Sequence, residues 1–199
     1  MKTALAHLKG DPVLKKILRK SYKFTFGKSE NLFVDIIENI IGQQLSSGPA
    51  ETITNRFWGL FTEPLYPAPD VVLAVPDDKL RAVGMSWAKA SYIKNLSREI
   101  VELRLDLDLV KTLDDNHVIV ELTKVKGIGR WTAEMILIFH LNRPDVFSLG
   151  DLGLRTAVSK LYRVNRDDVA KIEAISLKWS PYRSLASRYL WKSLDEKAL

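Results

Sequence analysis

The segment Leu122-Thr-Lys-Val-Lys-Gly127-Ile-Gly129-Arg-Trp-Thr-Ala133 gathers residue types suited to chemistry. Glycines at 127 and 129 let the backbone turn tightly and present successive N–H groups, and the helical run behind them adds the positive end of its dipole. Lys124, Lys126 and Arg130 ring that turn, and a concavity of this kind suits a phosphate oxygen. A purely structural helix–turn–helix carries the same glycines; the basic ring favours the phosphate reading. The third glycine of a dinucleotide-binding loop and the Gly-Lys-Ser/Thr ending of a Walker loop are both missing. Farther along, Asp151 stands alone before an apolar helical run. That is the place of an N-cap, and also of a carboxylate at the edge of a cleft. Gln43-Gln44 closes an apolar helix, where side chains are ordinarily solvated. Arg81, Lys89 and Lys94 flank the glycine turn at Gly84 and form a second candidate phosphate-contacting edge.

The elements that must position these residues read as helices. Leu32, Phe33, Ile36, Ile37, Ile40 and Ile41 form a stripe at helical spacing, as do Ile93, Leu96, Ile100 and Leu103. Met135 to Leu141 reads as a helix buried on most sides. Asp11-Pro12 reads as N-cap then first helical residue, and Asp70 and Asp167 are expected to cap the helical segments after them. His117-Val-Ile-Val-Glu121 is β-branched but sits between capped helical stretches, so it too is read as helix. No alternating strand pattern bounded by hairpin turns occurs. Thr62–Pro76, with four prolines, is the expected long connector, and Asn142–Gly150 a second irregular stretch. The expected fold is all-α, a single domain over 1–199. It comprises two helical lobes, one from the middle of the chain and one from both ends, with a cleft between them.

Composition narrows the chemistry further. The 199 residues include 30 Lys and Arg against 24 acids and no Cys. Absence of Cys excludes disulfides, thiolate zinc sites and Cys-ligated iron–sulfur clusters. His7, His117 and His140 lie too far apart in sequence to suggest a metal site. A net charge of +6 and an isoelectric point near 9.4 point to a polyanionic partner. No apolar run approaches the ~20 residues of a membrane span. The charged N-terminus does not read as a secretory signal.

Four motifs then coincide in order. These are Ile40-Ile-Gly-Gln-Gln-Leu-Ser46, Leu80-Arg-Ala-Val-Gly-Met-Ser86, the Gly127-Ile-Gly129 hairpin with Asp151 downstream, and Trp179-Ser-Pro-Tyr-Arg-Ser184. Over roughly residues 30–191 the chain resembles the helix-hairpin-helix DNA glycosylases, and most of all the 3-methyladenine type II (alkyladenine) branch. Two features depart from the pattern: Lys126 stands where the hairpin usually carries Pro, and Gly150 precedes the aspartate. The amino-terminal sheet domain of larger bacterial relatives does not fit in this length.

The resemblance implies a base-excision repair enzyme that hydrolyses the N-glycosidic bond of alkylated purines in duplex DNA. The hairpin, about 122–133, is expected to bind phosphate through Lys124, Lys126, Gly127, Gly129, Arg130 and Thr132. Asp151 is the expected catalytic carboxylate, which would stabilise a developing sugar cation. Trp131 and Trp191 are expected in the base pocket, with Trp87 at its margin; on helix pattern alone Trp131 reads equally as a core aromatic. Trp58, Trp179 and Tyr182 are assigned to core packing. Gln43 and Gln44 are the expected wedge that fills the space left by an extruded nucleotide. Trp131 occupies the place of the Schiff-base Lys of bifunctional relatives, which implies hydrolysis without strand cleavage. No organic cofactor is implied, though carbonyls of Thr123, Val125 and Ile128 are expected to suit a structural monovalent cation. The expected protein is a monomer in the cytoplasm at the nucleoid, or in a nucleus. Two alternatives stand beside this reading: a related glycosylase for uracil, hypoxanthine or a mismatched base, and a non-catalytic module that only grips DNA.

Overall fold

A computed structural model describes residues 2–18, 22, 24, 30–62 and 66–196 of the chain. Among these residues the regular structure is helical throughout and contains no strand. Contacts divide the chain into two compact units, one formed by Lys28–Ile136 and the other by Met1–Gly27 with Leu137–Leu199.

The terminal unit begins with α1 (Lys2–Leu8) and a 3-10 turn at Leu14–Lys16. Asp11 Oδ1 accepts the Val13 and Leu14 N–H groups, while its Oδ2 accepts the Tyr162 hydroxyl (2.7 Å) and the Trp179 indole (3.3 Å).

In the middle unit the apolar stripe becomes α2 (Leu32–Gly42), with Leu32, Phe33, Ile36, Ile37, Ile40 and Ile41 all buried. The Asn31 side chain accepts the Val34 N–H and so starts this helix. It packs on α3 (Ser47–Trp58) and on α6 (Trp87–Val101), and α6 also packs against α4 (Pro69–Ala74) and α5 (Asp77–Ala82). The short α7 (Leu107–Thr112) leads to α8 (Asp115–Thr123), which packs against α9 (Arg130–Met135). The β-branched run of α8 is helical because the Asp114 side chain caps it, accepting the Asn116 and His117 N–H groups, and because Val118 and Leu122 are buried.

The terminal unit resumes with α10 (Leu152–Tyr162), α11 (Val169–Leu177) and α12 (Arg183–Asp195). Its core includes Leu14, Leu154, Val158, Ile172, Trp179 and Leu190.

Several local expectations are corrected. α4 starts at Pro69 after Ala68, so Asp70 lies inside the first turn instead of capping it. Asp168, not Asp167, caps α11 by accepting the Lys171 N–H. The connector Thr62–Pro76 contains α4, and its Pro64 lies outside the described residues. Leu103 does not continue the stripe of α6: the helix has ended, and Leu103 takes a φ of 58° at 90% exposure. The run Met135–Leu141 is not one regular helix, because Ile136–His140 is a π-turn. That wider turn rotates Phe139 to 39% exposure beside buried Ile138.

Candidate active site and nucleic-acid interface

The hairpin follows directly from its sequence. Val125 and Ile128 are buried anchors, and the Ile128 N–H closes the turn on the Val125 carbonyl at 3.0 Å. Between them Gly127 takes φ +109°, and a β-carbon there would lie 2.1 Å from Tyr92 Cγ. Glycine is therefore required twice, by conformation and by the aromatic ring packed on the turn. Asn95 Nδ2 donates to the Lys126 carbonyl at 3.2 Å. Gly129, exposed and extended, precedes α9, whose first N–H groups have no side-chain cap.

Two hairpin-facing assignments change. Gln43 does not project as a wedge: its Nε2 donates to Thr132 Oγ1 at 3.1 Å and to the Gly127 carbonyl at 3.4 Å. Thr132 is buried and engaged by Gln43, so its hydroxyl braces the hairpin from within rather than facing a phosphate. Gln44, next in the chain, has a φ of 60°.

The basic residues also sort themselves. Lys126 is exposed at the turn, and Lys124 folds back on both carboxylate oxygens of Glu121 at 2.7 Å. Arg130 Nε meets the buried Glu134 at 2.9 Å. Surface pairs like that of Lys124 are worth little and open readily. The expected second phosphate edge is not there. Lys89 Nζ donates to the Ile41 and Gln43 carbonyls (2.7 and 2.6 Å), closing the end of α2, and burial lowers its pKa. Lys94 Nζ donates to the Leu73 carbonyl at 2.6 Å. Arg81 donates to the Met85 carbonyl and lies 5.1 Å from the ring centre of Trp87. Trp87 is 62% exposed and Trp131 40%, whereas Trp58 and Trp179 are buried in their cores.

The second constellation is a corner of the terminal unit. Asp151 caps α10: its Oδ1 accepts the Leu154 N–H at 2.7 Å and the Trp191 indole N–H at 3.0 Å. Capping and presentation of a carboxylate thus occur at one atom. Gly153 leaves room for the pair, because a β-carbon there would lie 3.0 Å from Asp151 Oδ1 and 3.3 Å from Trp191 Cδ1. Phe139 lies 5.5 Å from Trp191, centre to centre, with the rings inclined by 30°. The loop before Asp151 is fixed by Asp145, which accepts from Arg183 Nε (2.8 Å), the Arg183 N–H (3.2 Å) and Ser180 Oγ (2.8 Å). Burial pushes the Asp145 carboxyl up, but the bonds from Arg183 and Ser180 prevail and hold it below the ordinary carboxylate range.

Asp151 and Trp191 are therefore brought together in one unit, and the hairpin, Trp131, Trp87 and Gln44 belong to the other. Sequence reasoning missed Phe139, Tyr92 and Gly153. A hint for Gly153 existed, since glycine inside a first helical turn costs about 1 kcal/mol relative to alanine and needs a reason. Tyr92 had no signal, because its role is set by what packs on it. Among the described residues no group of three or more His, Cys, Asp or Glu is placed to hold a metal ion. None of the described helices is long and apolar enough to cross a membrane.

The chain is similar to known proteins over most of its length. Residues 37–181 match the HhH-GPD superfamily, described as base excision DNA repair proteins. The putative DNA-3-methyladenine glycosylase YfjP of Bacillus subtilis is 37% identical over 163 residues, 78% of this chain and 56% of that protein. DNA-3-methyladenine glycosylase 1 of Schizosaccharomyces pombe is 33% identical, over 81% of this chain and 72% of the yeast protein. The chain thus spans between about half and three quarters of these two relatives. The solved S. pombe 3-methyladenine DNA glycosylase Mag1, in complex with abasic DNA, superposes with a TM-score of 0.85 at 30% identity, covering 97% of each chain. With residues 37–181, more than two thirds of its length, matched by the family and a relative 33% identical over 81% of it, this chain belongs to the HhH-GPD superfamily of base excision DNA repair proteins.

Proposed function

We propose that this protein is a monofunctional DNA glycosylase that hydrolyses the N-glycosidic bond of alkylated purines, of the 3-methyladenine type, in duplex DNA. The observation that carries the reading is the Asp151 carboxylate, held by a helix N–H and an indole N–H at the start of α10. Relatives named 3-methyladenine glycosylases, and a solved complex of one with abasic DNA, support it. In this reading the N–H groups around Gly127 and Gly129, with Lys124, Lys126 and Arg130, grip a backbone phosphate, the contact that gives DNA binding its steep salt dependence. Gln44, beside the engaged Gln43, fills the space left when the damaged nucleotide leaves the stack. Trp131 and Trp191, with Trp87 at the margin, offer aromatic faces to the base; a cationic base gains about 0.5–2 kcal/mol over such a face. As the bond to the base breaks, Asp151 supports the positive charge on the sugar and orients water toward C1′. Water adds its oxygen to C1′ and passes one proton by way of the Asp151 carboxylate to solvent, the electron pair of the broken bond departs with the alkylated base, which leaves neutral, and an abasic site remains. An alkylated purine already carries positive charge, so no strong protonating acid is needed.

Trp131 cannot form a Schiff base, so water is the nucleophile and the strand stays intact. No organic cofactor is called for. The Thr123, Val125 and Ile128 carbonyls are neutral oxygen donors, a set suited to a monovalent cation that would stiffen the turn. The protein would act as a monomer wherever the cell keeps its DNA, in nucleoid or nucleus. The test is incubation with duplexes carrying 3-methyladenine, 7-methylguanine, ethenoadenine, hypoxanthine or uracil. Released alkylated purine and alkali-dependent cleavage, with no protein–DNA crosslink on adding borohydride, are expected. Release of uracil or hypoxanthine alone would reassign the lesion, release of nothing would favour a DNA-gripping module, and a borohydride crosslink would overturn the monofunctional mechanism.

A further inference from the structure

Arg188, on α12, is a guanidinium at 6% exposure in the terminal unit. Burying a cation is costly unless its surroundings use it. Its surroundings include the Ile138 carbonyl, which accepts from its Nη2 at 2.7 Å, and the Phe139 ring, whose centre lies 4.7 Å from its central carbon. Both partners belong to the π-turn Ile136–His140, where the regular hydrogen-bond ladder of the helix is broken and a carbonyl needs another donor. Phe139 then lies against Trp191, and the Trp191 indole donates to Asp151. Guanidinium, phenyl ring, indole and carboxylate thus form a continuous series of contacts, from a buried charge to the proposed catalytic oxygen.

We infer that Arg188 is a positioning residue for the hydrolytic site: it fixes the π-turn and the Phe139 ring, which set the Trp191 indole and, through it, the Asp151 carboxylate. The inference rests on Asp151 acting as proposed above. Arginine suits the task because one planar group donates to a carbonyl and covers an aromatic face together. Methionine fills similar space and does neither. Lysine keeps the charge and a compact donor.

In Arg188→Met, single-turnover excision should fall about tenfold, the scale of an outer-layer group that orients a reacting one. Affinity for lesion DNA should stay within about twofold, and Arg188→Lys, which keeps the charge and a donor but loses the planar face, should recover part of the rate. The Trp191 indole N–H resonance, assigned by its loss in Trp191→Phe, should move in Arg188→Met and return toward its wild-type position in Arg188→Lys. Phe139→Leu, at a partly exposed position, should move the same resonance and slow excision. The Phe139→Leu/Arg188→Met pair should be no slower than the slower single variant, because both act through one series of contacts. An unmoved resonance with wild-type rate in Arg188→Met, or losses that multiply in the pair, would overturn the inference. If Arg188→Met fails to fold, Phe139→Leu with wild-type rate and resonance does the same. Should the wild-type protein release no base at all, the proposed function fails instead, and the indole resonance still decides whether Arg188 positions Trp191.

Discussion

The hairpin and the Asp151 corner are built on opposite principles. The hairpin works through its backbone: Gly127 sets the turn, Tyr92 and Gln43 pack or bond against it, and the outward groups are amides and flexible basic side chains. The corner works through side chains: Asp151, Trp191 and Phe139 hold one another, with Asp145 and Arg183 fixing the loop that leads there. A phosphate, the target proposed for the hairpin, is large and tolerant, and a flexible ring of cations around rigid amides is enough for it. A developing sugar cation demands a carboxylate placed closely before it forms, which needs a preorganised surrounding.

Substitutions that separate the two regions test this contrast. The largest effect is expected from Asp151→Asn. The amide oxygen can still cap α10, so thermal stability should change little. Single-turnover excision should fall about a hundredfold or more while lesion-DNA affinity is kept. A near-wild-type rate would remove Asp151 from the chemistry. Next comes Gly127→Ala, whose β-carbon would collide with the Tyr92 ring. It should lose about 2–3 kcal/mol of stability, read from denaturant unfolding, and weaken binding to every duplex. Adding Tyr92→Ala should recover only part of the loss, since the positive φ remains; full recovery would mean that the ring alone requires glycine. The smallest effects distinguish neighbours. Gln43→Ala should cost about 1 kcal/mol and weaken damaged and undamaged duplex binding alike, because it loosens the hairpin. Gln44→Ala should weaken lesion-DNA binding severalfold and leave undamaged duplex unchanged. Identical behaviour of the two variants would erase the distinction drawn between them.

The same contrast explains what was legible in the sequence. Glycine spacing is a backbone signal, so the hairpin turn could be argued from residue types. α2 and α8 were legible too, one from its stripe and the other from the Asp114 cap that outweighs β-branching. Side-chain destinations were not. Lys89, Lys94 and Arg81 look like a phosphate edge in the sequence, yet each reaches a backbone carbonyl in the middle unit. Gln43 and Gln44 are adjacent and chemically identical, and only the left-handed turn at Gln44 separates the engaged amide from its neighbour. Leu103 keeps the helical spacing, but α6 ends before it. Asp151 was legible as a cap, whereas Trp191, expected from the family resemblance in the base pocket, is bonded to it from 40 residues away, a pairing that nothing in the sequence signalled.

The dual use proposed for Asp151 has an evolutionary consequence. Reactive groups commonly burden the fold that carries them, so drift toward greater stability tends to erase activity. Here the carboxylate also starts a helix, and its loss to alanine or valine would remove an N-cap worth about 1 kcal/mol along with the charge. Under the proposed function, selection for a folded protein and selection for repair therefore favour the same side chain. Substitutions to asparagine, serine or threonine keep a cap and discard the charge, so a stable but silent descendant of this protein is most easily reached through those three residues.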